Sequence, residues 1–274
     1  VSEAGPVLTA LLVHPSAPVR QTAAQALERV ADITVLDGLL TALDDPAATV
    51  RFSLVGALAH AGGDGHALSD AQRTQILSRL EDLILRDPDP GVRSRAASVL
   101  GEVGTPEVLP FLWQRVLTAE DSRVKDKAWA AVMAILVRTG NLELLGDWDQ
   151  KLARANQSER RLQLLEAAAD AWAKNDHVKA PVGAALELLV QAQLENGKWP
   201  AALPRLRDLL NRPATDAEMD KRLHLLLEVG RQALKEGNSA ESLRVVREAQ
   251  PFLTRNNKVA GEFEKLEKQA QEGP

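Results

Sequence analysis

The chain contains no cysteine and no tyrosine, and aromatic residues make up only 3% of its 274 positions. Without cysteine there are no disulfides and no thiol chemistry, and the redox state of the compartment is left open. So few aromatics beside 45% hydrophobic residues, dominated by Ala, Leu and Val, argue against sheets and for helices packed at short distance. A basic excess is also missing. The formal net charge of −5 speaks against an unselective binder of nucleic acid or anionic membrane, which relies on a dominant basic surface, though it leaves room for a local patch. Nor is there an apolar run near the ~20 residues that span a bilayer; the stretch Val7 to Val13 is broken by Thr9. No signal peptide is evident. A soluble, cytoplasmic chain is the default expectation, but the start at Val1, directly before a first repeat, fits a processed form or an excised piece of a longer protein, with an upstream targeting or anchoring segment removed.

Catalytic and metal-binding patterns are scarce as well. The five histidines, His14, His60, His66, His177 and His224, form no pair on one helical face, and none is followed by Glu. His60, Asp64 and His66 are close enough in sequence to meet at a metal, yet a glycine-rich loop between them fixes no geometry. No Ser/His/Asp arrangement follows from spacing, and no cofactor, metal or catalytic residue is expected.

What the chain does have is punctuation. In Asp87-Pro88-Asp89-Pro90-Gly91-Val92-Arg93 the prolines end one helix near Arg86, and another starts at about Gly91. Val92, Ala96, Val99, Leu100 and Val103 then fall on one stripe, with Arg93, Ser94, Arg95, Ser98 and Glu102 around the rest. Gly104 reads as a stop, Thr105 as a cap and Pro106 as the first turn of the next helix. The same unit recurs at Val19-Arg20, Val50-Arg51 and Val124-Lys125, at separations of 31, 42 and 32 residues. Four residues before each valine stand Pro15, Pro46, Pro88 and Glu120. Four after stand Ala23, Leu54, Ala96 and Ala128, and eight after stand Leu27, Leu58, Leu100 and Val132. Agreement at three offsets identifies a repeat array.

Over residues 6 to 140 this pattern resembles the HEAT repeat family, closest to the short bacterial variety of the phycobilisome lyases; the fourth repeat departs from it at Glu120 and Lys125. The resemblance implies an all-α fold, an α-solenoid (superhelix) of stacked antiparallel helix pairs. Helices are expected at about 6–13, 19–30, 34–43, 50–61, 71–86, 92–103, 106–118 and 122–138. The segment Gly62-Gly63-Asp64-Gly65-His66 reads as a flexible insertion, closed by a capping box of Ser69 and Gln72.

After Gly140 the Val-Arg punctuation stops, and helices are expected at about 141–154, 158–174, 180–196, 199–211, 216–235, 239–253 and 257–270. An offset of 40 aligns Leu186 with Leu226, Leu189 with Val229, Gly197 with Gly237, Ala202 with Ser242 and Leu206 with Val246. Leu226 to Ala249 looks like a tetratricopeptide repeat, with Ala233 where the family has an aromatic, so residues 141–274 are read as a TPR-like region continuous with 1–140. Thr215 with Glu218 and Asn238 with Glu241 have capping-box spacing. Trp129 and Trp172 read as packing, while Trp148 and Trp199, near helix starts, are candidates for partial exposure.

The ladder Arg20, Arg51, Arg93 and Lys125 is expected to pair with acidic turns containing Asp44, Asp45, Asp87, Asp89 or Asp121. The HEAT resemblance implies that the second helix of each pair lines a concave groove, whose candidate partner-binding residues are Gln21, Gln25, Phe52, His60, Arg95, Ser98 and Lys127. Phe52 stands where other repeats have Gln21, Ser94 and Asp126, and an exposed aromatic there suits a binding anchor. The expected function is a non-enzymatic scaffold or adaptor holding a protein or peptide, in a larger, coat-like or membrane-associated assembly. The alternatives are an enzyme on a HEAT scaffold, either a bilin lyase or a DNA glycosylase using Arg93, Arg95, Arg123, Lys125 and Lys127, or a passive helical spacer. Nucleic acid and direct membrane insertion are not expected.

Overall fold

The computed structural model describes residues 4–30, 33–62, 68–174, 181–253 and 259–272. Among these residues every regular element is a helix, and the chain divides into two compact units, Val1–Thr139 and Gly140–Pro274.

The first unit holds α1 (Ala4–Leu11), α2 (Ala17–Val30), α3 (Leu36–Ala42), α4 (Ala48–Gly62), α5 (Asp70–Arg86), α6 (Pro90–Val103), α7 (Leu109–Thr118) and α8 (Ser122–Thr139), with single 3-10 turns leading into α3 and α7. Each odd helix packs on the even helix that follows it, and α2, α4, α6 and α8 stack on one another. This is an α-solenoid of antiparallel pairs. The repeat register explains the stacking, because Ala23, Leu54, Ala96 and Ala128, and Leu27, Leu58, Leu100 and Val132, are all buried. Burying one such leucine contributes about 1.5–3 kcal/mol. α6 and α8 approach closely, and a Cβ on Gly101 would stand 2.7 Å from Ala131 Cα. Only a glycine admits a backbone that near.

The prolines end and start helices as expected: α5 stops at Arg86 and α6 opens on Pro90, with Asp89 Oδ1 accepting from Gly91 N at 2.8 Å and Val92 N at 3.0 Å. Ser69 and Gln72 form both arms of their capping box. Gly104 stops α6 as expected, in extended backbone (φ −70°, ψ 154°), and its lack of a side chain clears the Leu100 carbonyl, Val108 and Ile135. The next residue differs from expectation. Thr105 makes no capping bond to the backbone; its side chain hydrogen-bonds the Glu107 carboxylate and holds it below the usual range. Of the expected insertion Gly62 to His66, Gly62 closes α4 and is buried, and Gly63 to His66 lie outside the described residues.

The second unit holds α9 (Leu142–Arg154), α10 (Ser158–Lys174), α11 (Val182–Glu195), α12 (Trp199–Leu210), α13 (Asp216–Lys235), α14 (Ser239–Ala249) and α15 (Ala260–Glu272). Three helix pairs turn on the same device. Asn156, Gly197 and Gly237 have φ of 54°, 67° and 80°, and the next N–H reaches back five residues, from Gln157 to Leu152 O (2.9 Å), Lys198 to Gln193 O (2.8 Å) and Asn238 to Ala233 O (2.8 Å). This is the Schellman turn, which needs a residue tolerant of positive φ. The α9–α10 turn thus uses the same device as the two glycine turns, with asparagine in the glycine position.

Trp148 and Trp199, the two candidates for partial exposure, are both buried; Trp199 finds a partner on the next helix pair, and Trp148 packs against a lysine of its own helix. Trp199 Nε1 donates to Glu236 Oε2 at 2.8 Å, and Lys151 Nζ lies 4.3 Å from the Trp148 ring centroid. Buried arginines cross-link the pairs. Arg161 grips Asp149 with Nε and Nη2 (2.5 and 3.2 Å) and also bonds Glu195. Burial alone would lower the Arg161 guanidinium, but these two carboxylates raise it. Thr215 and Glu218 complete a capping box, whereas Asn238 has one arm only, because the Glu241 carboxylate pairs with Arg207 at 3.2 Å.

Candidate functional site: turn arginines and the even helices

Two arrangements in the first unit bear on function. The first is the arginine ladder. Arg20 Nη1 donates to the carbonyls of His14 (2.9 Å) and Pro15 (3.1 Å), while Nε and Nη2 fork onto Asp45 of the next turn at 2.5 and 3.1 Å. Arg51 repeats the device: Nη1 to Asp45 O and Pro46 O at 2.8 and 3.2 Å, and the fork onto Asp87 at 2.8 Å twice. Each carboxylate also accepts an N–H two residues on, Ala47 N on Asp45 and Asp89 N on Asp87. Burial pushes the Asp45 carboxyl up, but the bonds from Arg20 and Ala47 outweigh it and leave the group below its ordinary value.

The third rung differs. Arg93 Nη1 still bonds Asp87 O (2.7 Å) and Pro88 O (3.2 Å), but its fork meets no carboxylate. The expectation that Asp121 would serve it is not met. Five residues before the repeat valine stand Asp45, Asp87 and, in the fourth repeat, Ala119. Asp121 occupies the Asp89 register instead, where it accepts Arg123 N at 2.8 Å and pairs with the Arg123 side chain, which holds its carboxyl low.

The second arrangement is the exposed side of the even helices. Phe52 on α4 is 39% exposed, as its register suggests. The Arg95 guanidinium lies over it, Cζ 4.8 Å from the ring centroid, and also pairs with Glu28 on α2. That ion pair passes across α4 at Gly56, where any Cβ would overlap both Glu28 Oε1 and Arg95 Nη2. Gln25, His60 and Lys127 are exposed, and Gln21, Arg95 and Ser98 are half-buried. The structure thus joins Phe52 to Arg95 and leaves the other candidates without a bond to either. Sequence reading missed Glu28, 67 residues from Arg95; the gap at Gly56, among larger residues of the same helix, was the only local signal.

Of the five cations considered for a basic patch, Arg95 pairs with Glu28, Arg123 with Asp121, and Arg93 bonds two carbonyls. Asp64 and His66 lie outside the described residues. Among the described ones no three His, Asp or Glu side chains gather where a metal would fit, and no helix is long and apolar enough to cross a membrane.

The stacked pairs, the buried valine register and the arginine-aspartate rungs agree with the comparison to known families, in which residues 2–64 and 65–133 match HEAT repeats. The first half carries HEAT repeats. No curated protein matches the chain. Among solved structures, a crystallised engineered protein is 18% identical, covering 98% of this chain and 78% of its own, at a TM-score of 0.44. Human deoxyhypusine hydroxylase in complex with glycerol is 17% identical, with 98% and 96% covered and a TM-score of 0.39. A designed armadillo repeat protein is 16% identical, with 97% and 99% covered and a TM-score of 0.36. Likeness at these levels carries no functional argument, so the reading of the HEAT half rests on its own residues.

Proposed function

We propose that the protein is a non-enzymatic interaction scaffold, which holds a segment of another protein or peptide against the even helices α2, α4, α6 and α8. One observation carries this reading. Phe52 is a large apolar side chain left 39% exposed, yet the Arg95 cation fixes its ring from one side, and a rigid, partly exposed aromatic is what a binding anchor requires. Gln21, Gln25, His60, Ser98 and Lys127 supply polar groups on the same layer of helices, which we take as the concave face. Membership of the short HEAT variety, and a TPR-like second half beginning near residue 140, belong to the same proposal. The common left-handed turn at Asn156, Gly197 and Gly237 supports the second of these.

The test is capture from nuclease-treated lysate of the source, comparing the native chain with a Phe52→Ala, Lys127→Glu variant. Both side chains are exposed, so the variant keeps its fold, whereas changing Arg95 would unpair Glu28. Retention of one protein that falls about tenfold or more with the variant, the loss of an anchor worth ≥1.4 kcal/mol, supports the scaffold. Retention that is unchanged, or limited to nucleic acid, sinks it.

A further inference from the structure

The third rung of the ladder keeps its arginine and lacks its carboxylate. In the first two rungs an arginine fixed by two turn carbonyls presents Nε and Nη2 to the carboxylate of the next turn. Arg93 keeps the same two carbonyl bonds, so its fork is aimed in the same way, at the register now held by Ala119. Where the missing carboxylate would stand there is a recess of about 390 Å³, and Arg93 and Ala119 both line it. Its other walls are complementary to an anion with an apolar attachment. Arg115 reaches it from α7, with its Nε buried and lacking any hydrogen-bond partner. Leu85, a 47% exposed leucine on α5, lines it together with Ile84 and Val124. Two acids also line it: Asp121 is already neutralised by Arg123 and committed to capping α8, and Glu120 is exposed.

We propose that this recess binds a carboxylate carried on an apolar residue, with the fork of Arg93 gripping it in two parallel hydrogen bonds and Arg115 supplying the second cation. Paired N–H donors in this planar arrangement match a carboxylate better than a spherical anion. A peptide C-terminus ending in an aliphatic residue offers that chemistry in full, whereas an acidic side chain offers the carboxylate on a short methylene stem. The site lies at the turns rather than on the even-helix surface, so its test and the lysate capture fail separately.

The experiment follows the ¹⁵Nε–H resonance of Arg93 in the full chain during titration with N-acetyl-leucine and with the N-acetyl amide of aspartate. N-acetyl-leucinamide and sodium chloride serve as controls, each to about 50 mM, where a millimolar site approaches saturation. A saturating shift with either carboxylate supports the proposal, and the tighter of the two identifies the source. No shift with either, or an equal shift with the leucinamide or with chloride, overturns it. The decisive variant is Ala119→Asp, which rebuilds the rung from inside. It is expected to raise the thermal midpoint and to weaken carboxylate binding at least about tenfold, since the two carboxylates compete for one fork. A variant equally stable to the native chain and equally able to bind the probe also overturns the proposal.

Discussion

Asp45 and Asp87 each hold two groups at once, an arginine fork from the preceding repeat and the N–H that starts the next helix, and through the latter they set the angle of the turn. Arg51 and Asp87 are both buried, and removing one partner of such a pair strands the other. Asp87→Asn is therefore expected to cost about 3 kcal/mol, the lower end for a broken buried pair because Arg51 retains its carbonyl bonds, read from the urea midpoint at pH 7. Asp45 adds a pH dependence. Its carboxyl is depressed on folding from an ordinary value of 3.8, so its contribution is fully present above about pH 4 and is lost as pH falls through the folded value. The gap in urea midpoint between the native chain and Asp45→Asn should be full at pH 7 and narrow below pH ~4; a gap that stays constant to pH ~3 would show that the charge of Asp45 contributes nothing.

Between elements, small residues decide distances. Gly101→Ala should destabilise by about 1–3 kcal/mol, because the added methyl meets the Ala131 backbone and not a movable side-chain end, and this exceeds the ~1 kcal/mol gained from better helix propensity. Gly237→Ala should lose about 1–2 kcal/mol through its positive φ although nothing crowds the site, while Asn156→Gly should be near neutral. Thermal melts of the three variants check this order. The helix ends were legible in the sequence because Pro88, Pro90, Ser69 and Thr215 act within a few residues of themselves. Phe52 was legible as exposed from its mismatch with Gln21, Ser94 and Asp126. What stayed hidden depends on chain far away or on equivalent chemistry in different letters. Trp199 is covered by Glu236 from the next pair. Asn156 fills a glycine position. Arg93 has several acids nearby in sequence, and only geometry reveals that the one register that matters is Ala119.

At the scale of the molecule, each unit has its own buried core, from Leu12 to Leu136 in the first and from Leu145 to Ala270 in the second. Residues 1–139 made alone are expected to melt cooperatively with the circular dichroism of a folded helical protein; a gradual, non-cooperative loss would show that this core needs the rest of the chain. Within the first unit, Glu28 and Arg95 join the first and third helix pairs over a glycine of the second. Stacked repeats ordinarily feel only their immediate neighbours, so that a one-dimensional chain of local stabilities and adjacent interfaces describes them. A bond that skips a repeat gives that chain a longer memory: the second pair cannot fray without also costing the link between its two neighbours. Glu28→Gln should then leave each helix pair intact and broaden the unfolding transition, because the repeats have lost a reason to let go together.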